Sequence, residues 1–274
     1  MLTRYLTPVN PGGFMRRVTV VTGASSGIGE EFARRFASRG DDLVVVARRV
    51  ERLERLAAQL REQHGVRVTP VALDLTAPRP GRALRHRLAQ EGVVAGALVN
   101  CAGYGRAGAF ARADAEETAR QIAVDVTALT DLTKALWPDL LDAETGLLLN
   151  VASLTGYAPM PGMAVYAAAK AFVVSFTEAL WVEARGSRLR VLCLSPGPTS
   201  SEFYGTSATS TDGVRFQTPQ QVVDAAFRAL GKRRPTVVSG RTNALAATLM
   251  RVLPRRLVLA LTARQAPRPS VAAA

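Results

Sequence analysis

Tyr166 and Lys170 stand four residues apart in the run MAVYAAAKA, residues 163–171. In a helix, residues at this spacing share a face, so the phenol and the ammonium project together. A cation held beside a phenol favours the phenolate. It is expected to lower the tyrosine pKa from about 10 toward a value useful for proton transfer near neutral pH. The same pair on an ordinary surface helix would do nothing but meet water. Its chemistry therefore depends on what the rest of the chain brings to it.

Two earlier stretches supply a setting. The β-branched run Arg17 to Val21 leads directly into Thr22-Gly23-Ala24-Ser25-Ser26-Gly27-Ile28-Gly29. A helical pattern follows from Glu30 to Arg39, with Phe32, Ala33 and Phe36 on one side and Arg34, Arg35 and Arg39 toward water. Strand, glycine turn and helix in that order let backbone N–H groups at a helix N-terminus meet a pyrophosphate. A glycine turn can also be a mere tight connection, but its place between strand and helix favours dinucleotide binding. The next strand, Leu43 to Ala47, ends where NAD-binding folds place an acid against the ribose. Here Ala47 is followed by Arg48 and Arg49, whose guanidinium groups suit a 2′-phosphate. NADP(H) is thus expected over NAD(H), the alternative being two helix-start arginines that face solvent.

The remaining chain alternates strands and helices. An amphipathic helix is expected over residues 50–63 and a strand over 66–73, stopping at Asp74-Leu75-Thr76. A strand over residues 96–99 leads into Asn100-Cys101-Ala102-Gly103, and a long helix pattern runs from Asp114 to about Leu141. The strand Leu147 to Val151 delivers Ala152 and Ser153, and the helix carrying Tyr166 and Lys170 runs from Pro161-Gly162 to about Arg185. A further strand, Leu189 to Leu194, ends at Ser195-Pro196-Gly197-Pro198-Thr199, and a last one covers Thr236 to Ser239. This alternation implies an α/β, doubly wound Rossmann-type parallel sheet of about seven strands with helices on both faces. Its ligands sit beyond the carboxyl ends of the strands, where all these motifs fall. Residues 200–217, rich in Ser, Thr and Gly, form a long loop suited to act as a lid.

Composition bounds the rest. The chain has 274 residues and 48% hydrophobic content, enough for one large domain. Residues 15–240 form that domain, preceded by a Pro- and Gly-rich flexible extension over 1–14 and followed by a helical tail over 241–274. Met15 offers an alternative start. No apolar run of membrane-spanning length and no signal-peptide pattern stands out, so a cytoplasmic location is expected. Cys101 and Cys193 sit in apolar runs as small hydrophobes, and His64 and His86 are isolated, so no metal site is expected. The net charge of +13 would attract nucleic acid, but the arginines are scattered without interleaved aromatics, and no nucleic-acid role is expected. In the tail, the apolar pattern over 244–264 is broken by Pro254 and by Arg251, Arg255 and Arg256. Such a piece can cover the active rim, pair with a second subunit or lie on an anionic membrane surface. Packing on protein is the preferred reading.

Taken together, TGASSGIG at 22–29, the Asp74-Leu75 pair, NCAG at 100–103, Ser153, YAAAK at 166–170 and Pro196-Gly197 resemble the short-chain dehydrogenase/reductase family in its compact one-domain form. The resemblance covers residues 16–240. It implies that Tyr166 is general acid in carbonyl reduction and base in alcohol oxidation, and that Ser153 bonds the substrate oxygen. Lys170 would both tune Tyr166 and hold the nicotinamide ribose. Asp74 and Leu75 would meet the adenine, Asn100, Ala102 and Gly103 would shape the cofactor channel, and Pro196, Gly197 and Thr199 would contact the nicotinamide end. A homodimer or homotetramer is implied as well.

One position departs from the family. Asp125 falls where these enzymes usually carry an Asn that binds a water linking the lysine to solvent. A carboxylate there either keeps the proton relay with an altered pH optimum or breaks it and slows turnover. The expected activity is NADP(H)-dependent interconversion of a ketone and a secondary alcohol. Leu154, Tyr157, Met160 and Met163 would offer apolar walls to a lipid-like substrate, although the same residues could be loop packing. The rival reading is a catalytically silent protein that senses NADP(H) on the same fold.

Overall fold

The computed structural model describes residues 6–9, 13–207, 215–232 and 234–263. A short strand β1 (Leu6–Val9) pairs antiparallel with the start of β2 (Gly13–Thr22). The chain then continues through α1 (Gly27–Ala37), β3 (Leu43–Ala47), α2 (Val50–His64), β4 (Val68–Ala72), α3 (Pro80–Gln90) and β5 (Val93–Asn100). Next come α4 (Ala115–Ile122), a π-helical turn over Ala123–Ala128, α5 (Leu129–Leu141), β6 (Leu147–Val151), α6 (Ala164–Glu183) and β7 (Arg190–Ser195). The five-residue α7 (Phe203–Ser207), α8 (Pro219–Leu230), β8 (Thr236–Val238), α9 (Arg241–Val252) and α10 (Arg255–Ala263) complete the described residues.

Strands β2 to β8 are parallel in the order β4-β3-β2-β5-β6-β7-β8. Their Val- and Leu-rich runs are buried because helices cover both faces. On one face Val21, Val45 and Leu149 meet Phe32, Phe36, Leu53 and Leu60 of the first two helices and Val222 and Val223 of α8. On the other, Val20, Val44, Leu98 and Leu148 meet Leu84 and Leu88 of α3 and Leu132, Leu136 and Leu140 of α5. The chain leaves β2 toward β3 on one side and returns through β5 on the other. The crevice between β2 and β5 is therefore the switch point of the sheet.

Three features differ from the sequence expectation. Residues 6–9, assigned to a flexible extension, pair as an edge strand; Pro8 is tolerated there because an outermost strand can lack one donor. The single long helix expected from Asp114 is interrupted by the π-helical turn that contains Asp125. Finally, α6 is long and apolar enough to span a membrane by length and composition, yet it carries Lys170 and Thr177 buried inside the protein.

Polar side chains lock this frame. Arg17 is buried and donates to the carbonyl oxygens of Ala95 (3.4 Å), Asp139 (2.7 Å) and Asp142 (3.1 Å), stitching β2 and β5 to the C-terminal end of α5. Under the active rim, Asn100 donates to Thr133 Oγ1 (3.0 Å) and Asn150 Oδ1 (2.9 Å), and Asn150 donates to Thr177 Oγ1 (3.0 Å). This ladder fixes α5 and α6 against the middle of the sheet.

Candidate active site

The carboxyl ends of the strands open into one cavity of about 1210 Å³, lined from the glycine turn at one end to Tyr166 and Lys170 at the other. That is more room than the roughly 300–1000 Å³ typical of a single small-ligand pocket. At its near end, Thr22 Oγ1 accepts from the N–H groups of Cys101 (3.0 Å) and Ala102 (3.1 Å), holding the ends of β2 and β5 together. Gly23 has φ +69°, and a Cβ there would lie 2.9 Å from the Ala102 backbone. A Cβ on Gly29 would overlap the carbonyl oxygen of Gly23. The glycines thus let α1 begin directly under the turn, with its N-terminal N–H groups facing the cavity. This is a cradle that fits a pyrophosphate.

Further along the wall, Arg49 donates to Ser25 Oγ (3.0 Å) and Ser26 Oγ (3.1 Å) and pairs with Glu202 (2.8 Å). Arg48 lines the same wall. Asp74 Oδ1 accepts from the N–H and hydroxyl of Thr76, both at 2.9 Å, and these bonds hold its carboxyl below the usual range. Ser25, Ser26, Gly27, Ile28, Gly29, Asp74, Leu75, Ala102, Gly103, Pro196, Gly197 and Thr199, all expected to hold the cofactor, line the cavity. Asn100 does not. It is buried in the polar ladder below, so its part is to support the channel and not to line it.

At the far end, α6 brings Tyr166 and Lys170 to one face, and β6 delivers Ser153. Lys170 Nζ lies 5.5 Å from the Tyr166 ring centroid and donates to Asp125 Oδ1 and to the Val151 carbonyl, both at 3.4 Å. Asp125 is fully buried, and its Oδ1 also accepts from the Tyr104 N–H (3.2 Å). Burial pulls the ammonium of Lys170 down, but the charges of Asp125 and Tyr166 more than restore it, leaving its pKa raised. Burial also raises the Asp125 carboxyl, against the pull of Lys170.

The expected depression of Tyr166 is not what the structure gives. Burial raises the phenol most, Lys170 lowers it, and Asp125 raises it again, so the net direction is upward. The main reason is desolvation of the buried phenol; the carboxylate paired with the ammonium adds to it by opposing the pull of Lys170. Tyr166 is held protonated, the form that donates to an oxygen.

Of the four apolar residues expected at the substrate end, Leu154, Met160 and Met163 line the cavity. Tyr157 does not; it packs in the core, with its hydroxyl 3.0 Å from Ser195 Oγ and Arg251 over its ring at 4.8 Å. Sequence reasoning missed several wall residues. Phe203 of α7 sets its ring 5.3 Å from that of Tyr166, and Tyr204 and Met250 line the same end. Helix α9 packs at this rim, with Asn243 so close to Gly197 that a Cβ there would overlap its amide. Helix α9, the first helix of the tail, therefore packs against this rim, one of the placements open to it from its sequence. Among the described residues no cluster of His, Cys, Asp and Glu could hold a metal ion, and both cysteines are free thiols.

Comparison with known proteins points the same way. A model of the family described as short chain dehydrogenase matches residues 17–211. The chain is 34% identical over 219 residues to sulfoacetaldehyde reductase 2 of Chromohalobacter salexigens, covering 77% of this chain and 86% of that one. Among solved structures, it resembles a short-chain dehydrogenase from Sphingobium yanoikuyae in complex with NADPH, with TM-score 0.76 and 35% identity over 87% of this chain and 96% of the other. It also resembles the bulky-bulky ketone specific alcohol dehydrogenase of Comamonas testosteroni, with TM-score 0.73 and 29% identity over 92% and 93% of the two chains.

Proposed function

The chain belongs to the short-chain dehydrogenase/reductase family, oxidoreductases of alcohols and ketones that use a nicotinamide cofactor, and from that premise we propose that it interconverts a ketone and a secondary alcohol with NADP(H). The observation that carries this reading is the gathering of Ser153, Tyr166 and Lys170 on the wall of one cavity that Arg48 and Arg49 also line. The glycine turn, Arg48, Arg49, Asp74, Leu75, Ala102, Gly103, Lys170, Pro196, Gly197 and Thr199 would hold the cofactor, which supplies or takes up the hydride when bound.

The chain's own groups manage the proton. In reduction, Tyr166 gives its hydroxyl proton to the carbonyl oxygen, while Ser153 donates a hydrogen bond to the same atom as charge develops on it. In oxidation Tyr166 takes the proton back. Lys170 stabilises the phenolate left behind, and Asp125 limits how far it does so. A raised Tyr166 pKa keeps the phenol protonated, the form in which it serves as the acid of reduction. Leu154, Met160, Met163, Phe203, Tyr204 and Met250 make the substrate end apolar, which supports a bulky or lipid-like ketone. Association into a homodimer or homotetramer belongs to the same reading, as a property usual in this family.

The test is NADPH oxidation against a panel of aliphatic, cyclic and aromatic ketones, repeated with Tyr166→Phe. The variant is expected to lose about 10²- to 10⁴-fold in turnover while still binding NADPH. NADPH binding without any Tyr166-dependent turnover would replace this reading with that of a silent cofactor sensor.

A further inference from the structure

The segment that closes over the substrate end begins with Ser201 and Glu202, and its first contacts are at the opposite end of the cavity. Ser201 lies against the glycine turn: a Cβ placed on Gly27 would be 3.1 Å from Ser201 Cβ. Glu202 Oε2 sits 2.8 Å from Arg49 Nη1, and Glu202 Oε1 is bonded by Arg52 Nη1. One residue further on, Phe203 stacks toward Tyr166.

Arg49 is one of the two guanidinium groups expected to read a 2′-phosphate. A carboxylate and a phosphate offer a guanidinium the same kind of acceptor pair, and both prefer the two-pronged geometry of its N–H groups. One arginine cannot serve both at full strength. We propose that Glu202 is a specificity-determining residue, a carboxylate built into the substrate-side segment that competes with the 2′-phosphate of NADP(H) for Arg49 and so sets the margin by which NADP(H) is preferred to NAD(H). The proposal rests on the NADP(H) reading given above. It follows that taking up a 2′-phosphate loosens the hold of Ser201–Glu202 on the adenosine end, next to the residue that covers Tyr166.

Hydrogen bonds from Arg52 and Arg49 hold the Glu202 carboxyl down at about 2. The pairing is fully present above the ordinary carboxylate pKa and is lost as pH falls from there through about 2. The competitor is therefore charged throughout the working range.

The experiment is calorimetric titration of the full chain with adenosine 2′,5′-bisphosphate and, separately, with adenosine 5′-monophosphate, which lacks the 2′-phosphate. Glu202→Gln should tighten the bisphosphate about three- to tenfold, as expected for release of a half-exposed ion pair, and leave the monophosphate unchanged. Glu202→Asp, which keeps the charge, should stay near the natural protein. Unchanged or weaker bisphosphate binding by Glu202→Gln overturns the proposal, and so does equal tightening of both ligands. Arg49→Ala separates the two readings. If the natural protein shows no preference for the bisphosphate, the NADP(H) reading fails, and the proposal with it. If that preference is present but survives Arg49→Ala, or if Glu202→Gln leaves it untouched, the proposal fails alone.

Discussion

Replacing Asp125 by Asn removes one buried negative charge while keeping the side chain's shape and an oxygen that accepts from the Tyr104 N–H. Lys170 Nζ lies 5.5 Å from the Tyr166 ring centroid. At an effective dielectric of about 20, a unit charge at that range is worth about 3 kcal/mol to a phenolate. Asp125 works against this pull. Deleting its charge is expected to return part of that stabilisation to the phenolate. The direction follows from the role of the group: a lower Tyr166 pKa moves the alkaline fall of reduction, and the rising limb of oxidation, toward acid. The same change removes the carboxylate that holds Lys170 up, so the limbs report the coupled pair and not one residue. The assay is kcat/KM against pH in both directions, with thermal unfolding to verify that the variant is folded. A shift of both limbs toward acid is expected. Limbs that move toward alkali, or profiles that coincide, would refute the reasoning. Slower turnover at every pH with unmoved limbs would assign Asp125 to the proton relay instead.

Two further outcomes test the frame around the site. Gly29→Ala drives a Cβ into the Gly23 carbonyl. It should cost roughly 1–3 kcal/mol of stability and at least about tenfold in NADPH affinity, read by melting and by fluorescence titration; full affinity would end the reading of this turn as a phosphate cradle. Arg17→Ala deletes the buried guanidinium that ties β2 and β5 to α5. It should lower stability by about 2–4 kcal/mol, a fall in Tm of roughly 5–15 °C. Because it lies at the rim opposite the cavity, kcat below the melting range should not change.

What the sequence disclosed and what it hid have different physical causes. Leu43 to Ala47 and Leu147 to Val151 are recognisable as strands because a parallel strand buried on both faces is a continuous apolar run. The glycine turn is equally local. The π-helical turn at Asp125 was not legible, since one extra residue in a helical turn leaves the apolar period nearly intact. Glu202 was hidden because its partner Arg49 lies 153 residues away, and Asn243 because nothing near Gly197 in the chain announces a helix from the tail. The sign of the Tyr166 shift needed the balance of burial against two opposed charges, and spacing carries neither magnitude.

The buried niche shared by Asp125 and Lys170 also constrains how this protein can change. A Cβ on Gly103 would lie 2.9 Å from Lys170 Nζ and overlap Asp125 Oδ1, so three positions distant in sequence occupy one crowded space. An aliphatic residue at 125 would strand the ammonium, at a cost of about 3–5 kcal/mol. Substitutions at 103, 125 and 170 are therefore expected to be coupled and not additive. A laboratory library that varies them one at a time should tolerate the amide at 125 best, and paired changes should recover combinations that single changes lose.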